Sequence, residues 1–216
     1  MAAGGIRPSQ GEQRWQRIAA SAGMLFVALF LLAFGLDITD FPEAGSASAK
    51  EIAAFIEEQR VRIGLSTATY ALAWVAFLWF IGRLRSDLSR AEPEQLLATV
   101  AFGGGLLTAG LALAGAALQT EIIFADLATN DDVTLLAQWA LFDASGGFFA
   151  MTPLVKAVFV GAASLAILRP GGLPRWLGWA GLLTAIANVV GGFDYLAPAG
   201  RSFTGHPLAD LFAFLA

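Results

Sequence analysis

Five apolar runs of about 20 residues constrain the fold of this chain more than any other feature. Roughly 20 helical residues cross a bilayer core about 30 Å thick, where the backbone must bond to itself. We place the runs at about 17–36, 63–82, 96–119, 146–168 and 174–193. The sequence therefore predicts an all-α, polytopic helical membrane bundle that forms one integral membrane domain over residues 1–216.

The composition agrees with lipid as the natural solvent. The chain is 57% hydrophobic and 14% charged, whereas charged residues make up about a quarter of a soluble domain. Its 24 Gly and six Trp are typical of transmembrane helices and of membrane interfaces.

Several kinds of site are disfavoured by residue counts alone. The chain has no cysteine and one histidine, His206, so one chain cannot build a disulfide, a bis-histidine haem site or a histidine-rich zinc site. The net charge of -4 disfavours nucleic acid, which needs a clustered basic face. We expect no cofactor, no metal and no nucleic-acid partner.

The first apolar run has two interpretations. Arginines precede it and "SASA" follows it, which is a pattern that a cleaved signal peptide shares. Its apolar stretch is longer than the roughly 7–15 residues usual for such a peptide. We therefore favour an uncleaved signal anchor.

Orientation follows from the distribution of charge. The N-terminal segment, the loop after the second run and the loop after the fourth run hold eight of the 13 Lys and Arg residues but four of the 17 Asp and Glu residues. The positive-inside rule then places the N-terminus in the cytoplasm. We expect the plasma (inner) membrane as the location.

The two large outer loops are expected to contain amphipathic interfacial helices. In the stretch "SAKEIAAFIEEQR", Ser48 and Glu51 have capping-box spacing, and apolar residues share one face. This predicts a helix at about 48–60 that lies on the membrane surface. The second outer loop, 120–145, opens with "TEIIFADLA" and continues with "NDDVTLLAQWALF", where Asn130 or Asp131 can cap another amphipathic turn.

The last apolar stretch, "LADLFAFLA", is about ten residues too short to cross a bilayer. It is either a short surface helix or the beginning of a truncated sixth span. We favour the second, so the predicted fold is five transmembrane helices plus a C-terminal half-span.

Small residues predict where the helices pack closely. Gly104, Thr108, Ala112 and Ala116 recur every four residues in the third run, and Ala157 and Gly161 form a similar notch in the fourth. Arg175, Trp176 and Trp179 are predicted membrane-interface anchors in the turn before the fifth run.

Lys156, near the middle of the fourth run, is the main candidate for a functional residue, because charged groups at membrane depth are costly. Groups predicted to share an outward-facing pocket with it are Thr152, Asn188, Asp194, Tyr195, Asp143 and Glu121. The functional interpretation is anion binding or proton transfer in this pocket. The structural interpretation is that Lys156 reaches the headgroups or bridges helices, and both remain open.

Three segments, "RWQRIAASAGMLFVALF", "LLATVAFGGG" and "LPRWLGWAGLL", resemble an uncharacterised family (a domain of unknown function) of small bacterial multi-pass membrane proteins. The resemblance implies a helical bundle, typically of six spans, and brings no activity or ligand.

From the residues we expect a non-enzymatic accessory or interaction protein. The alternative is a small transporter or ligand-binding protein that uses Lys156, and a membrane enzyme is the least supported class. The lipid bilayer is the expected partner, and a protein partner or a homo-oligomer is left open.

Overall fold

The computed structural model describes residues 10–36, 49–91, 95–124, 132–169 and 173–193, which form five α-helices. The helices are α1 Gln10–Leu36, α2 Ala49–Ala91, α3 Leu96–Phe124, α4 Asp132–Leu168 and α5 Arg175–Gly192. No strand occurs in these ranges. The all-α prediction is confirmed for the described part of the chain.

Local backbone chemistry sets the start of α3 and of α5. Gln95, just before α3, has a φ of 55°, and its carbonyl accepts from both the N–H (3.0 Å) and the hydroxyl (2.8 Å) of Thr99. Pro174, with φ −58°, directly precedes α5, and its carbonyl accepts from the N–H of Leu177 at 3.0 Å. Proline suits a helix start because its missing N–H is not needed there.

The helices pack mainly on their chain neighbours. α1 packs on α2, α2 on α3 and α4, α3 most extensively on α4, and α4 on α5. α2, α3 and α4 therefore form the centre, and α1 and α5 lie on its flanks. We call the end that holds Leu36, Ala49, Phe124 and Asp132 the Phe124 end, and the opposite end the Arg169 end.

An aromatic cluster fills the middle of the bundle between α1, α2 and α4. Trp74 and Phe77 of α2 are buried. The ring of Phe77 lies 5.0 Å from that of Phe26 on α1 and 5.4 Å from that of Phe159 on α4. Tilted and edge-on aromatic pairs of this kind contribute more than their buried area alone.

Small residues bring α3 close to α4. The predicted packing positions Gly104, Thr108, Ala112 and Ala116 are all buried. A Cβ atom added to Gly104 would lie 2.8 Å from the backbone nitrogen of Phe159, so at this point the helix backbones are almost in contact. In lipid, close approach of this kind is a main source of helix–helix attraction.

Three of the helices can cross a bilayer by length and composition: Ala53–Arg90, Leu96–Glu121 and Ala144–Leu168. Ser21–Leu36 in α1 is apolar but shorter, and α5 has 18 residues that include Arg175 and Asn188. Large apolar side chains such as Met24, Leu183 and Trp176 are about 70% exposed, as expected for side chains that face lipid. This supports a helical membrane protein but not, on these criteria, five spans. The predicted half-span lies outside the described residues.

The predicted surface helix at 48–60 is not a separate element, which corrects that prediction. α2 is one helix of 43 residues, about 64 Å at 1.5 Å per residue, and its first part is the predicted surface segment. No proline separates residue 60 from residue 63, where the second run was predicted to begin. Extending an existing helix is cheaper than nucleating a new one, so the two segments merge.

The second predicted outer loop, 120–145, is also largely helical. α3 continues to Phe124 and α4 begins at Asp132, so the amphipathic segment before the fourth run is the first part of α4. The predicted caps Asn130 and Asp131 lie outside the described residues. α4 therefore has 37 residues, about 55 Å, and exceeds the bilayer core by a wide margin.

Candidate functional site

Hydroxyl groups at membrane depth bond to their own helices. The hydroxyl of Thr152 donates to the carbonyl of Phe148 at 2.8 Å, and that of Thr108 donates to the carbonyl of Gly104 at 2.7 Å. Ser164 donates in the same way to Val160 at 2.6 Å. Threonine and serine often satisfy themselves like this in membrane helices. Their donor hydrogens are therefore committed within the bundle.

Asn188 on α5 is the most deeply buried amide in the described part of the chain, with 1% of its surface exposed. Its Nδ2 donates to the carbonyl of Thr184 at 2.8 Å. Its Oδ1 is buried and has no hydrogen-bond partner among the described residues. Buried acceptors without a donor are uncommon, so this oxygen marks a polar weak point in the α4–α5 interface.

The position of Asn188 follows from the antiparallel register of α4 and α5. Gly181 lies against Ser164, and Gly192 lies against Leu154. Asn188 falls between these two contacts, at about the level of Ala157. It therefore lies at the same depth as Lys156, on the stripe of α5 that faces α4.

Lys156 lies at the centre of the membrane-crossing part of α4. It is twelve residues from each end of the span Ala144–Leu168, about 18 Å at 1.5 Å per residue. Its side chain is half-buried. Within the described part of the chain, no hydrogen bond or ion pair joins its ammonium to another residue.

Helical periodicity shows which way Lys156 faces. Positions 149 and 156 are two turns apart and share a face. The ring of Phe149 lies 6.0 Å from that of Tyr70 on α2. Leu154, which contacts α5, is two residues and about 200° away. Lys156 thus faces the α2 side of α4, whereas Asn188 packs on the α5 side.

The structure therefore brings together only part of the predicted pocket. Thr152 shares the face of Lys156, but its hydroxyl is used by its own helix. Asn188 is at the right depth on a different side of α4. Glu121 is exposed near the Phe124 end of α3. The side chain of Asp143 and residues Asp194 and Tyr195 lie outside the described part, so the pocket as a whole stays a prediction.

Trp74 is a buried polar group that the sequence reasoning missed. It is 4% exposed, and its Nε1 has no hydrogen-bond partner among the described residues. The signal was the spacing of Tyr70, Trp74 and Phe77, four and three residues apart, which predicts one aromatic helix face. From the sequence alone, tryptophan is associated with the membrane interface instead.

Arginines concentrate at the Arg169 end of the bundle. The Asp87 carboxylate pairs with Arg83 at 2.9 Å and with Arg90 at 3.2 Å. The Arg85 guanidinium lies 5.0 Å from the ring centre of Phe102, a cation–π contact. The predicted anchors Arg175, Trp176 and Trp179 are all exposed. This end therefore carries net positive charge.

No group of three potential metal ligands occurs within the residues that the structure describes. Comparison with protein-family models, with curated proteins and with solved structures gives no match. The resemblance to a bacterial membrane family thus stays a prediction. Any functional conclusion depends on the geometry of this chain alone.

Proposed function

We propose that this chain is a multi-pass protein of the plasma (inner) membrane that acts as a non-enzymatic accessory or interaction protein. In this proposal α1 to α5 each cross the membrane, a half-span follows, and the N-terminus is cytoplasmic. The observation that carries the interaction role is the length of α2 and α4, 43 and 37 residues. Both helices are longer than a bilayer core requires, since roughly 20 helical residues can cross it.

In this proposal most of the surplus length projects at the Phe124 end. We call residues 49–62 of α2 and 132–143 of α4 the outer extension. Ile56 in this extension is 2% exposed, so the extension has packed side chains of its own. Glu51, Glu57 and Glu58 are exposed there, which offers a charged and rigid surface outside the lipid.

Contacts between α1 and α2 hold the base of this extension in place. Arg62 Nε donates to the carbonyl of Leu36 at 3.0 Å, and the Ser66 hydroxyl donates to the carbonyl of Ala33 at 3.1 Å. These bonds satisfy carbonyls near the C-terminal end of α1, where no further helical turn is available to do so. A fixed base suits a surface that binds another protein, because little order must be gained on binding.

A photo-reactive residue placed at Glu58 tests the interaction role. We expect it to form a discrete protein adduct in cells, and we expect Glu57→Lys in the same chain to weaken that adduct. The matched control is the same photo-reactive residue at Leu183, which is 70% exposed on α5 and in this proposal faces lipid. Adducts of equal yield and size at both positions, or none at Glu58, would contradict the proposal.

Lys156 supports a second candidate function, a small transporter or ligand-binding protein. Lys156 is a cation at mid-membrane depth, and none of the described residues near it is a counter-ion. A charge in this position is retained only where a ligand or another group balances it. Replacing Lys156 with methionine should then raise thermal stability at neutral pH and abolish ligand binding. Unchanged stability together with unchanged flux or binding would contradict this function and leave the accessory role in place.

A further inference from the structure

A lateral crevice runs along α4 between α2 and α5. Pro153, Lys156 and Val160, spaced three and four residues apart, form one stripe of α4, and all three are half-buried. On the Lys156 side of this stripe the rings of Phe149 and Phe159 contact α2. On the other, Val160 lies 3.6 Å from the position of a Cβ on Gly181 of α5.

The two walls of the crevice belong to helices that meet little. α2 and α5 each pack on α4, and the described parts of α2 and α5 share no extensive contact. The stripe is therefore bordered by α2 and α5, and α3 contacts α4 beside it through Phe149 and Phe159. The half-buried side chains of the stripe lie at the gap between α2 and α5, with Lys156 on its α2 side.

Charge makes the crevice more than an apolar groove. Lys156 supplies one cation at its centre. The acidic side chains that the structure describes all lie near helix ends: Glu51, Glu57, Glu58, Asp87 and Glu121. Asp87 is already paired with two arginines. An ammonium in lipid needs a counter-charge at hydrogen-bond distance, so the crevice is suited to one anionic group with apolar surroundings.

Depth restricts the chemistry of that anion. Lys156 is about 18 Å along the helix from either end of the span. A phosphate remains charged and hydrated at the interface, and moving it to this depth is costly. A carboxylic acid, whose ordinary pKa is about 4, can enter lipid as the neutral acid, and its chain then lies parallel to the helices.

We propose that Lys156 binds the carboxylate of a single-chain amphiphile, a long-chain carboxylic acid that enters the α2–α5 crevice from the bilayer. This inference rests on the ligand-binding function proposed above and names its ligand class. The carboxylate accepts hydrogen bonds from the ammonium, and the chain lies along Pro153 and Val160. An acid that enters in its neutral form releases one proton to water when it pairs with the ammonium, and the bound ammonium–carboxylate pair carries no net charge.

The experiment measures binding to the full chain in nanodiscs of zwitterionic lipid. Three probes share one alkyl chain: hexadecanoate, hexadecanol and hexadecyl phosphate. We expect hexadecanoate to bind the wild type about tenfold or more tightly than hexadecanol, because the carboxylate pairs its negative charge with the ammonium and the alcohol has no charge to pair. Lys156→Met should lose this preference and Lys156→Arg should keep it.

Arg85→Gln is the matched control for a charge removed at the end of the bundle. It should retain the preference for hexadecanoate, since Arg85 lies over Phe102 and away from the crevice. If Lys156→Met does not fold, the comparison of acid with alcohol on the wild type and on Lys156→Arg still decides the proposal. Equal affinity for acid and alcohol in the wild type would overturn it.

Failure of this inference can be distinguished from failure of the ligand-binding function. Binding of hexadecyl phosphate that depends on Lys156, without binding of hexadecanoate, would overturn the carboxylate and leave a ligand site. If no probe shows a preference that depends on Lys156, the carboxylate proposal falls. If Lys156→Met is then also no more stable than the wild type, the ligand-binding function falls with it.

Discussion

At the scale of single residues, the middle of the bundle contains polar groups that the fold satisfies to different degrees. The serine and threonine hydroxyls return their hydrogen bonds to the preceding turn, so they cost little in lipid. The Oδ1 of Asn188 and the Nε1 of Trp74 have no such bond among the described residues. The Asn188 oxygen lies in the α4–α5 interface, where a buried acceptor without a donor lowers stability.

We predict that Asn188→Leu is at least as stable as the wild type. Replacing a buried acceptor that lacks a donor by an apolar group of similar size removes a desolvation cost of about 1–3 kcal/mol. Asn188→Asp should be clearly less stable, because it buries a charge in the same place. Thermal unfolding in detergent measures both changes. Thr184→Ala, which removes a hydroxyl that bonds only to its own helix, is the matched control and should change little.

A marked loss of stability in Asn188→Leu would show that Oδ1 does have a donor in the folded protein. Lys156 is at the same depth and is the nearest candidate by register, so the double variant with Lys156→Met would then test that pairing. A loss in the double variant that is smaller than the sum of the losses in the two single variants would identify the pair.

Single residues also show which features of the site the sequence alone cannot predict. The sequence alone identifies Lys156 as a charge within an apolar run, and it shows the four-residue spacing of small residues such as Gly104 and Thr108. The side of α4 on which Lys156 lies is not visible, because it depends on which helices pack against which faces. The sequence therefore groups Asn188 with Lys156 by depth and by the polar stripe of the fifth run, although Lys156 faces the α2 side of α4 and Asn188 packs on the α5 side.

At the scale of elements, the α3–α4 pair depends on the absence of a side chain at a few positions. Gly104 and Gly103 are neighbours in α3, but they differ in surroundings. A Cβ at Gly104 would meet the backbone of Phe159 at 2.8 Å, whereas a Cβ at Gly103 has no neighbour within 4 Å. Backbone atoms cannot move aside as a flexible side chain can.

We therefore predict that Gly104→Ala destabilises the protein by about 1–3 kcal/mol, the usual cost of overpacking. Gly103→Ala should have no cost or a small gain, since alanine has a higher helix propensity than glycine. Unfolding of both variants in the same detergent measures the difference. If both variants unfold alike, α3 and α4 do not approach here as closely as the structure shows.

The unbroken course of α2 through the predicted surface segment is the second feature at this scale. Val61 lies between that segment and the second apolar run, and its side chain is 75% exposed. Proline here would clash with the carbonyl of Glu57 and remove one helical hydrogen bond. We predict that Val61→Pro costs about 3 kcal/mol or more, and that Val61→Ala is close to neutral.

Circular dichroism and thermal unfolding measure these changes. If a hinge joined a surface helix to a span at this point, proline would be tolerated, and Val61→Pro would match Val61→Ala. The sequence alone predicts a separate surface helix because residues 48–60 are amphipathic and residues 63–82 are apolar. It could not show that both segments share one continuous helical axis, since composition reports the solvent around a helix and not its continuity.

At the scale of the whole molecule, α1 and α5 pack alongside the three helices that are long and apolar enough to cross a membrane. α1 places Phe26 against Trp74 and Phe77, at 5.6 and 5.0 Å. α5 contacts α4 from Leu168 back to Leu154, which is more than half of the span. Both flanking helices therefore lie at membrane depth if α2 and α4 do.

The proposed five crossings and an arrangement with three crossings differ in only two places. If α2, α3 and α4 alone cross, the N-terminus is outside and Phe193 is inside. If all five helices cross, the N-terminus is inside and Phe193 is outside. The ends of α2, α3 and α4 have the same location in both arrangements, so loops at Ala91 and Phe124 cannot tell them apart.

We predict five crossings. Reporter proteins that are active on only one side of the membrane, fused before Met1 and after Phe193, should report a cytoplasmic N-terminus and an outer Phe193. A fusion after Ala91 is the control and should be cytoplasmic, because the Arg169 end carries Arg83, Arg85 and Arg90. An outer N-terminus would show that α1 lies against the bundle without crossing. In that case the outer extension would remain outside, since α2 and α4 cross in either arrangement.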